Sequence, residues 1–426
     1  MSRQQAQFAA IAANRPEVRR ILAQVDGLTR NEAAGKAGAE RAYVDRLIEL
    51  EIIRPDGQDR LTKGDVRRVQ MARTLEGAGI GLEAIAAGMA SGRLSLRFMD
   101  TPAYQRFATL SDETFNAVSA RTGVPLDLLT VVREATGGAV PEPDDRMRDD
   151  ELVIVPYIRA LLDGGIKPRS VERELRVLGD GMRRLAETQG DAWRTDLMEP
   201  LLARGASVSD IEEMSVATGT IDLEEKADEA IIATWHANQA QAWGANIISG
   251  FEAILTDAGL LTKPTSPPAI CFLDITGYTR LTQERGDEAA ADLADSLNRL
   301  VTRTSRDRGG RPVKWLGDGV MVHFRHPGGG VLAALEMVDG VGAVGLPPAH
   351  VGLHAGPVLF QEGDYFGRTV NIASRIAEYA RPGEVLVTRE VVEGSEGSGC
   401  RFTEIGPVEL KGVPGPVELH AAHRGM

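Results

Sequence analysis

Residues 269–282 read AICFLDITGYTRLT: five apolar residues, Ala269 to Leu273, run into Asp274, with Ile275 directly after it. A short apolar run that ends in a Thr-Gly turn signal reads as a buried strand. A bare carboxylate in such a strand costs several kcal/mol or takes up a proton. Asp274 therefore needs a partner that keeps an acid there. The chain continues as a Gly turn and a helical pattern to Val301, and residues 311–324, RPVKWLGDGVMVHF, then read as a hairpin. Its apolar runs, Val313 to Leu316 and Val320 to Phe324, are joined by Gly317-Asp318-Gly319, a strong turn signal. If the Asp274 strand neighbours this hairpin, the carboxylates of Asp274 and Asp318 converge. Two carboxylates on adjacent strand ends hold hard divalent cations for phosphoryl chemistry. Taken singly, the two acids read equally well as a helix cap and a turn residue.

Composition limits the alternatives. The 426 residues exceed what one core usually holds, so two or three domains are expected. A net charge of −13 argues against nucleic acid or an anionic membrane as the main partner. Cys271 and Cys400 are the only cysteines, too few for a disulfide framework. The first 20 residues lack a signal-peptide core, and no stretch approaches the ~18 uninterrupted apolar residues of a membrane span. A cytoplasmic location is the expectation.

The character of the chain changes near residue 265. Before it the sequence is rich in Ala, Leu, Glu and Arg with helical periodicity. Pro264, Pro267 and Pro268 form a stiff linker, and short β-branched runs then alternate with helices. The helical half holds an internal repeat, its copies at about 28–100 and 112–185, offset by roughly 86 residues. Each copy has a helix, a polar Pro/Asp turn, an acid-started helix (Asp65, Glu151), a Gly-Ile pair (Gly79-Ile80, Gly165-Ile166) and another helix. Between residues 222 and 258, Ala227, Ile231, Trp235, Gln239, Trp243, Ile247, Phe251 and Leu255 recur every four residues. That stripe calls for core burial or a partner helix. His236 lies on the same helix and reads as a surface residue.

A third element lies at 362–388, EGDYFGRTVNIASRIAEYARPGEVLVT. Asp364 is followed by Asn371 and Arg375, which are i,i+4 on a helix and so share a face. With FLDITGYT and KWLGDGVMV, this resembles the catalytic domain of the class III nucleotidyl cyclases, over about 267–420 and closing with GPVELKGVPGPVELH. The resemblance implies a ferredoxin-like α/β domain in which Asp274 and Asp318, assisted by the Ile275 carbonyl, bind two Mg²⁺ or Mn²⁺ ions per site. It further implies that Arg375 stabilises charge on the α-phosphate, that Asn371 positions the ribose, and that Lys411 contacts the triphosphate. Lys314 and Asp364 stand at the family's base-reading positions. Adenine offers an acceptor at N1 and a donor at N6, which suit a Lys donor and an Asp acceptor, whereas guanine reverses both. ATP is therefore the expected substrate, and an adenylyl cyclase the expected enzyme. In this family the two Asp residues and the Asn/Arg pair of one site come from different subunits, so a homodimer is expected.

Residues 28–38, 47–69 and 77–89 also resemble the winged helix-turn-helix of the mercury-resistance regulators. The second helix carries Arg41 and Arg46 but also Glu40, Asp45 and Glu49, which argues against DNA as a partner. Residues 118–135 and 161–187 resemble the helical regulatory domain that precedes some actinobacterial cyclases, with a proton, a lipid or a small ligand between helices as candidate effectors. The fold class expected is α+β: an all-α regulatory half followed by a ferredoxin-like cyclase domain. Its domains are 1–105 and 106–220 (the two repeats), 221–265 (long helix and linker) and 266–426 (catalytic). Competing readings are a transcription regulator with a nucleotide-sensing cyclase domain, and a diguanylate cyclase, which the absence of a GGDEF-type motif disfavours. The GVGAVG of 340–345 follows a helix and precedes a strand, the reverse of a dinucleotide-binding turn, and reads as a loop. His354 reads as structural.

Overall fold

The computed structural model describes residues 27–100, 108–207, 210–211, 220–261 and 267–425, so Pro264 of the expected linker and the first 26 residues lie outside it. The chain divides into two compact units between Ile248 and Ser249.

The N-terminal unit is built twice from one plan. Helices α1 (Arg30–Ala37), α2 (Arg41–Glu49), α3 (Lys63–Gly77) and α4 (Leu82–Ala90) make the first copy. Strand β1 (Leu110–Thr114), α5 (Phe115–Thr122), α6 (Leu126–Ala135), β2 (Arg146–Arg148), α7 (Asp149–Asp163) and α8 (Pro168–Trp193) make the second. Helices α3 and α7 start and stop 86 residues apart, the offset read from sequence. The acids thought to start them sit at the third helical position instead, each closing a capping box. Asp65 accepts from Thr62 and from Arg68 at 2.7 Å. Glu151, fully buried, accepts from the Arg148 amide at 2.7 Å and from Arg133 at 2.9 Å. A little β pairing accompanies the helices: β1 runs antiparallel to β2, and a Leu28–Leu61 bridge holds the matching place in the first copy. Helix α9 (Thr220–Asp257) is continuous for 38 residues. Among the described residues nothing covers its stripe fully, for Trp235, Trp243, Ile247 and Phe251 are all more than half exposed. No helix among the described residues is long and apolar enough to cross a membrane.

The C-terminal unit is a seven-stranded sheet. In chain order its elements are β3 (Ala269–Ile275), α10 (Tyr278–Arg285), α11 (Asp287–Asp307), β4 (Gly310–Leu316), β5 (Gly319–Phe324), α12 (Pro327–Gly340) and β6 (Ala349–Ala355). There follow β7 (Leu359–Gln361), β8 (Asp364–Phe366), α13 (Arg368–Tyr379), β9 (Val385–Thr388), α14 (Arg389–Glu393), β10 (Cys400–Val408) and β11 (Val417–Arg424). The order across the sheet is β10-β11-β9-β6-β3-β5-β4, with only β6–β9 parallel. The β6-β3-β5-β4 part is the antiparallel ferredoxin-like arrangement expected. Strand alternation splits β3 between two cores. Ala269, Cys271, Leu273 and Ile275 pack on the side that buries Val331, Ala334 and Met337 of α12. Ile270 and Phe272 face the opposite side, against Val370 and Ala373 of α13. GVGAVG forms a 3₁₀ turn over Val341–Val344.

Candidate active site

Three antiparallel strand ends bring the first group of residues together. Asp274, next to last in β3, pairs with Gly319 of β5 on one side and with His350 of β6 on the other. The pleat puts it on the Ile270/Phe272 face, and its side chain stays 46% exposed. The expectation of a fully desolvated acid was too strong: the strand is buried, but this face is less covered at its end. Half-burial, then the nearby charge of Asp318, push the Asp274 pKa up, while His350 and the Ile275 amide pull it down. Asp318 sits in the Gly317–Gly319 turn, where Gly317 takes φ +72°, a conformation that suits glycine. A Cβ on Gly319 would lie 3.1 Å from Asp274 Oδ1, so the missing side chain leaves room for that carboxylate. Ile275 turns its side chain into the opposite core, which leaves only its main chain to the site.

A second pair forms one edge of this face. Lys314 Nζ donates to Asp364 Oδ2 at 2.5 Å, joining β4 to β8, and the Tyr365 amide donates to Asp364 Oδ1 at 2.7 Å. Beside them, His323 stacks on Tyr365 with ring centres 4.3 Å apart, and Arg311 donates to the Tyr365 hydroxyl at 3.0 Å. Burial, then the charges of Arg311 and Arg325, lower the His323 pKa to about 4.

Asn371 and Arg375 do share a face of α13, the solvent face, since Val370, Ile372, Ala373 and Ile376 take the buried one. Arg375 binds Glu378 Oε2 at 2.6 Å. Among the described residues, no hydrogen bond or ion pair joins Asn371 or Arg375 to Asp274 or Asp318. Lys411 is exposed in the turn between β10 and β11. His354 contacts Thr388 Oγ1 at 2.9 Å, and burial holds its pKa below the usual imidazole value. His350, which sequence reasoning passed over, stands 3.5 Å from Asp274 Oδ2. Its only signal in the sequence was a histidine opening a strand, HVGLHAG, with no hint of which strand it would face.

In the helical unit, Arg41 pairs with Asp45 at 3.4 Å, and Arg46 with Glu49 at 3.2 Å and Glu83 at 2.9 Å. Those arginines are matched by acids, as the charge pattern of α2 implied.

Residues 261–423 match the adenylate and guanylate cyclase catalytic domain, and residues 55–221 match the adenylate cyclase regulatory domain. A pH-sensitive adenylate cyclase of Mycobacterium tuberculosis is 30% identical over 328 residues, covering 72% of this chain and 77% of the relative. An adenylate cyclase of Streptomyces coelicolor is 27% identical over 276 residues, covering 64% of this chain and 68% of the relative. The crystal structure of the adenylyl cyclase CyaB from P. aeruginosa aligns with 37% of this chain and 94% of its own, at 23% identity and a TM-score of 0.34.

Proposed function

This chain belongs to the class III cyclase family, with an adenylate cyclase regulatory domain ahead of the catalytic one, and from that premise we propose that it converts ATP to 3′,5′-cyclic AMP and pyrophosphate at sites shared by two copies. The observation that carries the reading is the placing of Asp274, at the β3 end, directly beside Gly319 of the β4–β5 turn that bears Asp318. Among the described residues no cluster of three or more acidic, His or Cys side chains is arranged for a metal. Two carboxylates and a main-chain carbonyl nevertheless fit Mg²⁺ or Mn²⁺, which take oxygen ligands and share them with substrate phosphates.

Asp274, Asp318 and the Ile275 carbonyl would hold two such ions. When bound, these supply a lowered pKa for the ribose 3′-OH and neutralise charge on the triphosphate. The chain's own residues do the rest. Lys314 donates to adenine N1 and Asp364 accepts from the N6 amino group, and the base opens their 2.5 Å ion pair as it enters. The 3′-oxygen, giving its proton up to solvent, attacks the α-phosphorus, and the bond from that phosphorus to the oxygen bridging to the β-phosphate breaks, so that pyrophosphate leaves. Arg375 exchanges Glu378 for the α-phosphate oxygens, a solvent-facing exchange that costs little. Asn371 orients the ribose, and Lys411 meets the triphosphate. Among the described residues no hydrogen bond or ion pair joins Asn371 or Arg375 to the carboxylates of their own chain, and a second copy supplying them completes the site. The helical half regulates this assembly, with a proton, a lipid or a small ligand as effector.

The test is turnover of ATP and GTP by the full chain with Mg²⁺ or Mn²⁺, beside Asp274→Asn. The expected result is cyclic AMP from ATP, lost in the variant. Formation of cyclic GMP in preference, or activity retained by Asp274→Asn, would overturn the reading.

A further inference from the structure

We propose that His350 is a positioning residue that fixes the Asp274 carboxylate for cation binding, an inference that rests on the reading of Asp274 as a metal ligand. Register puts the two residues directly opposite each other on β3 and β6, and so on one face of the sheet. The imidazole has a polar neighbour at each nitrogen. Its Nδ1 lies 3.2 Å from Thr276 Oγ1, and its Nε2 lies 3.5 Å from Asp274 Oδ2, within ion-pair reach. The ring is only 13% exposed, and Thr276 is itself anchored by its amide to the Pro348 carbonyl at 3.0 Å.

One ring tautomer suits both contacts. With the Thr276 hydroxyl donating to Nδ1, the ring carries its hydrogen on Nε2 and points it at Oδ2. Asp274 Oδ1 lies on the other side, over the gap left by Gly319 and toward the turn that bears Asp318. The carboxylate is thus held between a donor on β6 and a vacant Cβ position on β5. Oδ2 lies beside the imidazole, and Oδ1 beside the vacant Cβ position of Gly319. A ligating carboxylate oriented by an outer partner in this way loses about 10- to 100-fold in metal affinity when the partner is removed.

The experiment measures Mn²⁺ binding to the full chain by electron paramagnetic resonance, with 3′-deoxy-ATP, which cannot cyclise. His350→Ala is expected to weaken Mn²⁺ binding by about 10- to 100-fold. His350→Gln, which keeps an N–H at similar reach, recovers most of the loss. Thr276→Val, which releases the ring from its Nδ1 side, weakens binding in the same direction as His350→Ala. If His350→Ala does not fold, as judged by its melting transition, the Gln and Thr276→Val variants decide. Wild-type Mn²⁺ affinity in His350→Ala, or in Thr276→Val, would overturn the proposal. So would an equal loss of 3′-deoxy-ATP affinity with and without metal, which marks a direct phosphate contact instead. Asp274→Asn separates this from the functional reading: unchanged Mn²⁺ binding in that variant sinks the reading itself, whereas loss there without loss in the His350 and Thr276 variants sinks only the positioning role.

Discussion

Replacing Gly352 with Ala should both loosen the catalytic unit and silence it. Gly352 lies in the middle of β6, paired to Phe272 of β3 and Leu386 of β9. A Cβ there would meet backbone of α13: Ala377 N at 2.2 Å, Ala373 O at 2.7 Å and the Ile376 carbonyl carbon at 2.7 Å. Ordinary contact begins near 3.4 Å, so helix and strand must separate by the difference from 2.2 Å, about 1.2 Å. None of the three atoms can rotate away, which puts the change at the upper end of overpacking, about 3 kcal/mol. For a unit of this size that lowers the melting temperature by roughly 6–12 °C. The same helix carries Asn371 and Arg375, and a displacement of about 1 Å in positioning groups lowers turnover on the order of 100-fold. Calorimetry and cyclic AMP formation at a temperature where the variant is folded read the two effects separately. Gly342→Ala is the control, because its Cβ meets nothing within 4 Å. A Gly352→Ala protein that melts and turns over like wild type would refute the claim that α13 is seated on this glycine.

Other outcomes follow from the same geometry. Exchanging Lys314 for Glu and Asp364 for Cys reverses the donor and acceptor offered to the base, and should move preference from ATP toward GTP by a few kcal/mol, read as the ratio of kcat/KM values; unchanged ATP selectivity would contradict the base-reading assignment. His323 is neutral in the fold, with its pKa near 4, but takes up a proton near pH 6.5 when unfolded. The unfolded state therefore binds more protons between those values, and stability falls as pH drops from about 6.5 to 4, by on the order of 2–3 kcal/mol. His323→Gln should flatten that part of the pH profile of urea unfolding, and an unaltered slope would assign it to other groups.

The residues of the candidate site carry local signals in the sequence. The glycine-flanked turn marks Asp318, the i,i+4 spacing marks Asn371 and Arg375, and the repeat offset is matched residue for residue by α3 and α7. What escaped the sequence was long-range. Apolar pattern identified β3 but not how the pleat would divide it, so Asp274 was taken as buried when it is half-exposed. The partnership of Asp274 with His350 exists only because β6 lies beside β3, a pairing that no local pattern encodes. On α9 the four-residue period defines an apolar face, and the face is there, but periodicity does not say what covers it.

Mixing two inactive variants tests whether two copies share a site. Asp274→Ala retains Asn371 and Arg375, and Arg375→Ala retains both carboxylates. In an equal mixture half the dimers are hybrids, each with one complete site, so about a quarter of wild-type cyclic AMP formation should return. A mixture as inactive as its components, with exchange of subunits demonstrated, would contradict a site built from two copies of this chain.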